Sequence, residues 1–178
     1  MKHLIAAALA CAALLPVAAH AALKPGDAAP EFETTAALAG SAFAFDLAEA
    51  LKKGPVVLYF FPKAFTQGCT IEANAFAEAT PKFAALGARV IGISHDDIDT
   101  LKRFSTEACR NQFAVGSDPR GQTIKAYDAT SLLPGVANRI SYVIGQDGRI
   151  VFTHQGSDPI QHVEQTLKSV RDLAHTKR

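Results

Sequence analysis

Val56-Val57-Leu58-Tyr59-Phe60-Phe61, entered through Gly54-Pro55 and left at Pro62, is the stretch on which the fold turns. It is β-branched and aromatic with no polar alternation, so it reads as a strand buried on both faces, the habit of a central strand in a sheet covered by helices. Downstream, Phe76, Ala79, Phe83 and Leu86 recur at steps of three and four, and Gly87 closes the pattern, which predicts a helix. Pro81 falls inside it and is expected to kink or restart it. Arg89-Val90-Ile91-Gly92-Ile93-Ser94 is a second apolar run. Strand, helix and strand make a β-α-β unit, whose crossover is right-handed and whose strands are parallel.

Outward from that unit, Lys24-Pro25-Gly26-Asp27 reads as a loop, and Phe32 to Phe45 as a short hairpin turning at Gly40 and Ser41. Asp97 to about Cys109 reads as a helix through Ile98, Leu101 and Phe104, and Asp118-Pro119 as the start of a shorter one. Ile140 to Gly145 and Arg149 to His154 flank the turn signal Gln146-Asp147-Gly148, which predicts an antiparallel hairpin. The last helix has Asp158 as cap, Pro159 as first residue, and apolar Ile160, Val163, Leu167 and Val170. The order β-α-β, then helices, then β-β-α is that of an α/β thioredoxin-like fold, a central mixed sheet flanked by helices.

A chain of 178 residues has room for one domain with an apolar core, and nothing in it marks a linker or an internal repeat. Its 18 Lys and Arg against 17 Asp and Glu leave a formal charge of +1, so no field directs it to nucleic acid. The start has Lys2, an apolar run from Leu4 to about Ala19 and the small-x-small site Ala19-His20-Ala21, the pattern of a secretory signal peptide over residues 1–21. It is short for a bilayer span of ~20 apolar residues, and Pro16 interrupts it. A lipid-anchored reading on Cys11 is the lesser one, because apolar sequence continues past that cysteine. Cleavage after Ala21 is expected to leave one exported domain of residues 22–178 with no membrane contact. Cys69 and Cys109 remain in it, where a disulfide is permitted and not demanded.

Function in an open α/β sheet gathers where the carboxyl end of a strand passes into a helix N-terminus. Here that junction reads Phe61-Pro62-Lys63-Ala64-Phe65-Thr66-Gln67-Gly68-Cys69-Thr70-Ile71-Glu72. With Thr66 as N-cap, Cys69 is the third helical residue, where free backbone amides and the helix dipole favour an anion such as a thiolate. Cys69, Glu72, Phe76, Ala79, Phe83 and Leu86 share one helix face, which points inward. A carboxylate buried there asks for a cation, and Arg139, at the mouth of the strand that begins at Ile140, is the candidate. Each residue also has an ordinary reading: a small buried cysteine, a capping threonine, a proline that ends a strand, a solvated arginine. Their convergence on one junction is what favours chemistry. His95, His154, His162 and His175 lack ligand spacing with one another or with the cysteines, so no metal is expected, and there is no nucleophile elbow for serine hydrolysis.

Pro62, Thr66 and Cys69 form the string P-x-x-x-T-x-x-C, continued by Gly68-Cys69-Thr70 and Glu72, and this resembles the active-site signature of peroxiredoxins. The wider run, from Ala29-Pro30-Glu31-Phe32 through Leu58-Tyr59-Phe60-Phe61-Pro62-Lys63 to Ser117-Asp118-Pro119 and Lys125-Ala126-Tyr127, is similar to the peroxiredoxin Q or bacterioferritin comigratory protein branch. The likeness covers essentially the whole expected mature chain. It implies a thiol-dependent peroxidase acting on hydrogen peroxide and organic hydroperoxides, with no cofactor. It implies that Cys69 attacks the peroxide and becomes a sulfenic acid, that Thr66 places and polarises the peroxide, and that Pro62 shields the thiolate. Arg139 would stabilise the developing charge, and Glu72 would orient the arginine.

Many members of that branch carry a resolving thiol five residues beyond the first, where this chain has Asn74. Cys109 is then the internal candidate for resolving residue, as in members that resolve from the following helix. At ~100° per residue it falls near Ile98 at the edge of that helix's apolar stripe, half hidden and half available. A disulfide needs α-carbons within about 7 Å, so local unwinding around Cys69 is expected in the cycle. The alternative is a one-cysteine enzyme resolved by an external thiol. Two other readings share the fold. A thioredoxin-like dithiol-disulfide oxidoreductase needs C-x-x-C, where Thr66 occupies the first cysteine's place, and it needs a proline directly before the Ile140 strand, which is missing. A non-enzymatic thioredoxin-like binding module predicts an inert Cys69. The expected partners are a small peroxide and a dithiol reductant protein of the exported compartment, the bacterial periplasm. A monomer is expected, since no C-terminal second cysteine or extension points to large rings.

Overall fold

In the computed structural model, which describes residues 22–176, Val56–Phe60 is a strand with every residue buried. Side chains along this stretch alternate between two apolar clusters. Val57, Tyr59 and Phe61 enter one with Phe76, Phe83, Phe104 and Leu167, while Val56, Leu58 and Phe60 enter the other with Leu47, Ile124, Tyr127 and Tyr142. An unbroken apolar run is therefore what a strand with a core on each side requires. In chain order the elements are β1 (Glu33–Leu38), β2 (Ser41–Asp46), α1 (Leu47–Leu51), β3 (Val56–Phe60), α2 (Gln67–Ala85), β4 (Arg89–Ser94), α3 (Ile98–Glu107), β5 (Ala114–Ser117), α4 (Gln122–Ala126), β6 (Ile140–Ile144), β7 (Ile150–Gln155) and α5 (Pro159–Thr176). The strands form one mixed sheet in the order β2-β1-β5-β4-β3-β6-β7, with β3 parallel to β4 and antiparallel to β6. Residues of α2, α3 and α5 build one core, and residues of α1 and α4 the other. This is the expected α/β thioredoxin-like class.

The hairpin expected over 32–45 is β1–β2, and the one expected over 140–154 is β6–β7. Other expectations need correction. α2 runs through Pro81 without a restart. Burial of Phe76, Ala77, Ala79 and Phe83 on either side of the proline outweighs the ~3 kcal/mol that an interior proline costs. α1 and β5 are additions to the sequence reading. Asp46 caps α1, accepting from the Glu49 amide at 3.2 Å, and β5 is fixed by its pairing with β4 and β1. The short helix expected at Asp118-Pro119 begins only at Gln122. Asp118 still serves it, accepting from the Gln122 and Ile124 amides at 3.0 and 2.9 Å.

Ile160, expected on the inner stripe of α5, is 39% exposed, while Val163, Leu167 and Val170 are buried. It stands in the entry turn, where its amide donates to the Asp158 cap. The leader expected over 1–21 lies outside the described residues. Among the described residues, no helix is long and apolar enough to cross a membrane.

Candidate active site

β3 ends at Phe60 and α2 begins at Gln67, so residues 61–66 carry the chain over the carboxyl edge of the sheet. This loop is tied down by backbone and by one buried acid. Phe61 donates its amide to Ile93 O at 3.1 Å, and Ala64 donates its amide to Asp96 Oδ2 at 2.7 Å. Asp96 also accepts from Ser94 Oγ at 2.9 Å and meets Lys63 Nζ at 3.5 Å. Phe65 is left-handed at φ 65°, an uncommon state for a bulky residue, and is held there by an edge contact with Phe104 and by Arg103 over its ring. Pro62 lies in this loop between the Phe61 and Ala64 anchors.

Thr66 is the N-cap by backbone conformation, but its hydroxyl does not cap the helix. It donates instead to Lys63 O at 2.9 Å. The first bond of the helix runs from Thr70 N to Thr66 O, so the Gln67, Gly68 and Cys69 amides have no acceptor among the described residues. Those free donors and the helix dipole converge on the Cys69 position, the third of α2 as expected.

Cys69 is buried at 1% exposure, on the inward face shared with Glu72, Phe76, Ala79 and Phe83. Arg139, just ahead of β6, reaches back to it. Its Nη2 donates to Cys69 Sγ at 3.5 Å, and its Nη1 is bonded to Glu72 Oε2. Gly68 clears the way, since a Cβ there would lie 3.2 Å from Nη2. The Glu72 carboxyl is pushed up by burial and pulled back by the Arg139 charge and hydrogen bond, settling at about 8. Its other oxygen, Oε1, is buried without a partner among the described residues.

A second layer stands behind Arg139. His162 of α5 is fully buried, with Nδ1 2.8 Å from Ser141 Oγ and Nε2 3.0 Å from Gly156 O. A carbonyl can only accept, so Nε2 carries the proton and Nδ1 accepts from the serine. Gly156 in turn donates its amide to Arg139 O at 3.4 Å. Burial pushes His162 down to about 4; the Gly156 bond opposes this, and the neighbouring His154 and Arg139 reinforce it.

Cys109 departs from its expected place. α3 stops at Glu107 with Ala108 as C-cap, and Cys109 lies just beyond, at 0% exposure, not half available on a helix edge. The cause is the turn that follows, in which Arg110 and Asn111 are both left-handed at φ 50° and 61° and carry Cys109 into the core. Burial pushes its thiol well up. Cys69 and Cys109 are both unbonded and belong to one apolar cluster. The same cluster holds Tyr59, which is 1% exposed and whose phenol has no hydrogen-bond partner among the described residues. Its ring stacks on Phe76 at 4.5 Å and covers Gly92, where a Cβ would come within 2.6 Å. Burial, then Cys109, Glu72 and Cys69, raise the phenol well above its ordinary range.

The sequence reading thus names Pro62, Thr66, Cys69, Glu72 and Arg139, and the structure brings all five to the head of α2. It did not anticipate Asp96, Ser141, His162 or Tyr59 as part of the site, and it had Gly68 in the motif without its clearance for Arg139. Asp96 had a local signal as a polar residue at the end of an apolar strand; the others acquire meaning only through contacts distant in sequence. Among the described residues, no cluster of His, Cys, Asp and Glu could hold a metal ion. A sulfur under a guanidinium, at a helix start with free amides, is equipped to act as a thiolate nucleophile and to hold a negatively charged oxygen.

Residues 25–153 match the model of the AhpC/TSA family. A chloroplastic peroxiredoxin Q of Suaeda salsa is 37% identical over 125 residues, covering 68% of this chain and 58% of the relative. The chloroplastic peroxiredoxin Q of Sedum lineare is 35% identical over 125 residues, covering 68% and 66%. The chain thus spans about 58 to 66% of the length of these two relatives. The crystal structure of peroxidoxin BcpB from Mycobacterium tuberculosis superposes with a TM-score of 0.77 at 28% identity, covering 85% of this chain and 98% of that one. A match over residues 25–153, most of the chain, places this protein in the AhpC/TSA family, the peroxiredoxins.

Proposed function

We propose that this protein reduces hydrogen peroxide and organic hydroperoxides, with Cys69 as the attacking thiolate and Cys109 as the resolving thiol. The observation that carries the reading is the Arg139 Nη2 to Cys69 Sγ contact of 3.5 Å at the start of α2. In the first step the Cys69 sulfur attacks one peroxide oxygen. The S–O bond forms, the O–O bond breaks, and hydroxide or alkoxide leaves and takes up a proton, with Cys69 left as sulfenic acid. Arg139 and the free amides of the first helical turn stabilise the negative charge that develops. The Thr66 hydroxyl already gives its proton to Lys63 O, so its oxygen is free to accept from the peroxide O–H. Pro62 shields the sulfur, and Glu72 orients Arg139 through their bond.

In the second step the Cys109 sulfur attacks the sulfenic sulfur, the S–S bond forms, and the S–O bond breaks with release of water. Both thiols start fully buried, so this step needs local opening. A thioredoxin-like dithiol protein then reduces the disulfide. The leader pattern at residues 1–21 supports export, with the bacterial periplasm as the site of action and the reductant drawn from that compartment. A monomer is the proposed unit.

Peroxide loss by residues 22–178 tests the proposal. Cys69→Ser should abolish turnover, and Cys109→Ser should permit one oxidation and then stop dithiol-driven cycling. Unchanged peroxide consumption by Cys69→Ser sinks the reading. Non-reducing mass analysis after one equivalent of peroxide should show the loss of two protons. Its absence would point to the one-cysteine alternative with an external thiol.

A further inference from the structure

Arg110 follows Cys109 directly and ties its turn to α2. Its Nε donates to Asn74 Oδ1 at 3.0 Å and its Nη1 to Glu78 Oε1 at 3.0 Å. Asn74 and Glu78 are four residues apart, so they stand one above the other on a single face of α2, and one planar guanidinium bridges both. Asn74 lies five residues beyond Cys69, just over one turn further along α2. Here its carboxamide grips the turn that carries Cys109.

That turn is closed and strained. Cys109 donates its amide to Phe104 O at 3.0 Å, Asn111 to Ser105 O at 2.9 Å, and Gln112 to Cys109 O at 2.9 Å. Arg110 and Asn111 are successive left-handed residues, a state unfavourable for a side chain such as arginine's. Opening the turn relaxes that strain, exposes the thiol, and breaks the guanidinium bridge.

We infer that Arg110 is the latch of the resolving turn: its bridge to Asn74 and Glu78 holds Cys109 in the closed, buried turn, and release of that bridge sets the rate at which Cys109 attacks the Cys69 sulfenic acid. The inference rests on the proposed resolving role of Cys109. Arg110 is a positioning residue, acting through its neighbour and touching no reacting atom. Until the latch opens, the sulfenic acid is open to a second peroxide. That attack adds an oxygen to sulfur, breaks the O–O bond, releases water or alcohol, and leaves a sulfinic acid that a dithiol does not reduce. The latch therefore divides Cys69 between turnover and inactivation.

Arg110 and Glu78 are 50% and 69% exposed, so the bridge is a solvated one and its effect is modest. Its removal should accelerate disulfide formation about two- to fivefold. The experiment is rapid-quench alkylation with intact-mass readout, which separates thiol, sulfenic acid, disulfide and sulfinic acid in one sample. Arg110→Gln breaks the bridge from the turn, and Asn74→Ala with Glu78→Gln breaks it from the helix and leaves the turn untouched.

Both variants should form sulfenic acid at the wild-type rate, form the disulfide faster, and accumulate less sulfinic acid at high peroxide. Added salt should speed the wild type and not the variants, a response that a merely structural role does not give. Disulfide formation at the wild-type rate or slower in the helix-side variant overturns the latch. A wild type that never forms the internal disulfide removes the Cys109 reading itself, and the latch with it.

Discussion

His162→Gln probes the layer behind Arg139. The ring is fully buried, and its folded-state pKa is pushed down from 6.5 to about 4. Between those values the unfolded chain binds the proton and the folded protein does not. The contribution of His162 is therefore fully present above the unfolded value of 6.5 and is lost as the pH falls towards 4. A gap of about 2.5 pH units amounts to about 3 kcal/mol at the acid extreme, and to about 2 kcal/mol between pH ~7.5 and pH ~5.

Glu72 has the opposite sign. Its raised value of about 8 favours the protonated folded form, so its contribution is present at low pH and is lost as the pH rises from 4.5 to about 8. Since the two oppose each other between pH 4.5 and 6.5, the informative quantity is the difference between wild type and His162→Gln, in which Glu72 and the exposed groups cancel. Urea unfolding followed by far-ultraviolet circular dichroism, at a series of pH values from about 7.5 to about 5, gives that difference. The advantage of the wild type over the variant should shrink by about 2 kcal/mol across the series. A difference that stays flat, or grows towards acid, refutes the account of His162 as a buried neutral acceptor.

Thr66→Val removes the oxygen that the proposed mechanism offers to the peroxide and keeps the side-chain shape; the second-order rate of peroxide reduction should fall about 100-fold, read by peroxide-loss kinetics on a protein whose circular dichroism is unchanged. Asp96→Ala strands the buried Ala64 amide and the Ser94 hydroxyl, so urea unfolding should show a loss of about 2 kcal/mol, and the peroxide rate should fall because the loop carrying Pro62 and Thr66 loses its anchor. Tyr59→Phe deletes an unpartnered hydroxyl and keeps the ring on Phe76 and Gly92; thermal and urea unfolding should show no loss, and a gain of up to about 1 kcal/mol. A measurable loss would show that the phenol is bonded in solution.

What could be read from the sequence was what depends on local period and on junction chemistry. β3 and β4 announce themselves as apolar runs, α2 by its steps of three and four, and the site by a strand that passes into a helix through Pro62 and Thr66. The inward face of α2 even demanded the cation that Arg139 provides to Glu72. What escaped depended on tertiary partners. β5 is four residues long and exists because β4 and β1 flank it. Cys109 sits near the edge of a helix stripe by periodicity, but α3 ends before it and two left-handed residues turn it inward, which no count of 100° steps can show. The Thr66 hydroxyl faces back to Lys63 O because residues 63–66 form a turn of their own, so its capping role stays with the backbone alone. His162 matters because Ser141 and Gly156 lie 21 and 6 residues away in sequence and within hydrogen-bond distance in space.

The sheet divides the protein into two compartments with different duties. Cys69, Cys109, Tyr59 and the aromatic residues of α2 and α3 all lie on one side, while Leu58, Phe60, Tyr127 and Tyr142 pack on the other with α1 and α4. In the proposed cycle, the opening that brings the two buried sulfurs together need disturb only the first compartment. The second keeps the strands paired and their side chains covered, a standing wall against which α2 would close again once the proposed disulfide is reduced. The proposed cycle, which breaks repeatedly into one core, is tolerable in a molecule with a second core that the cycle does not enter.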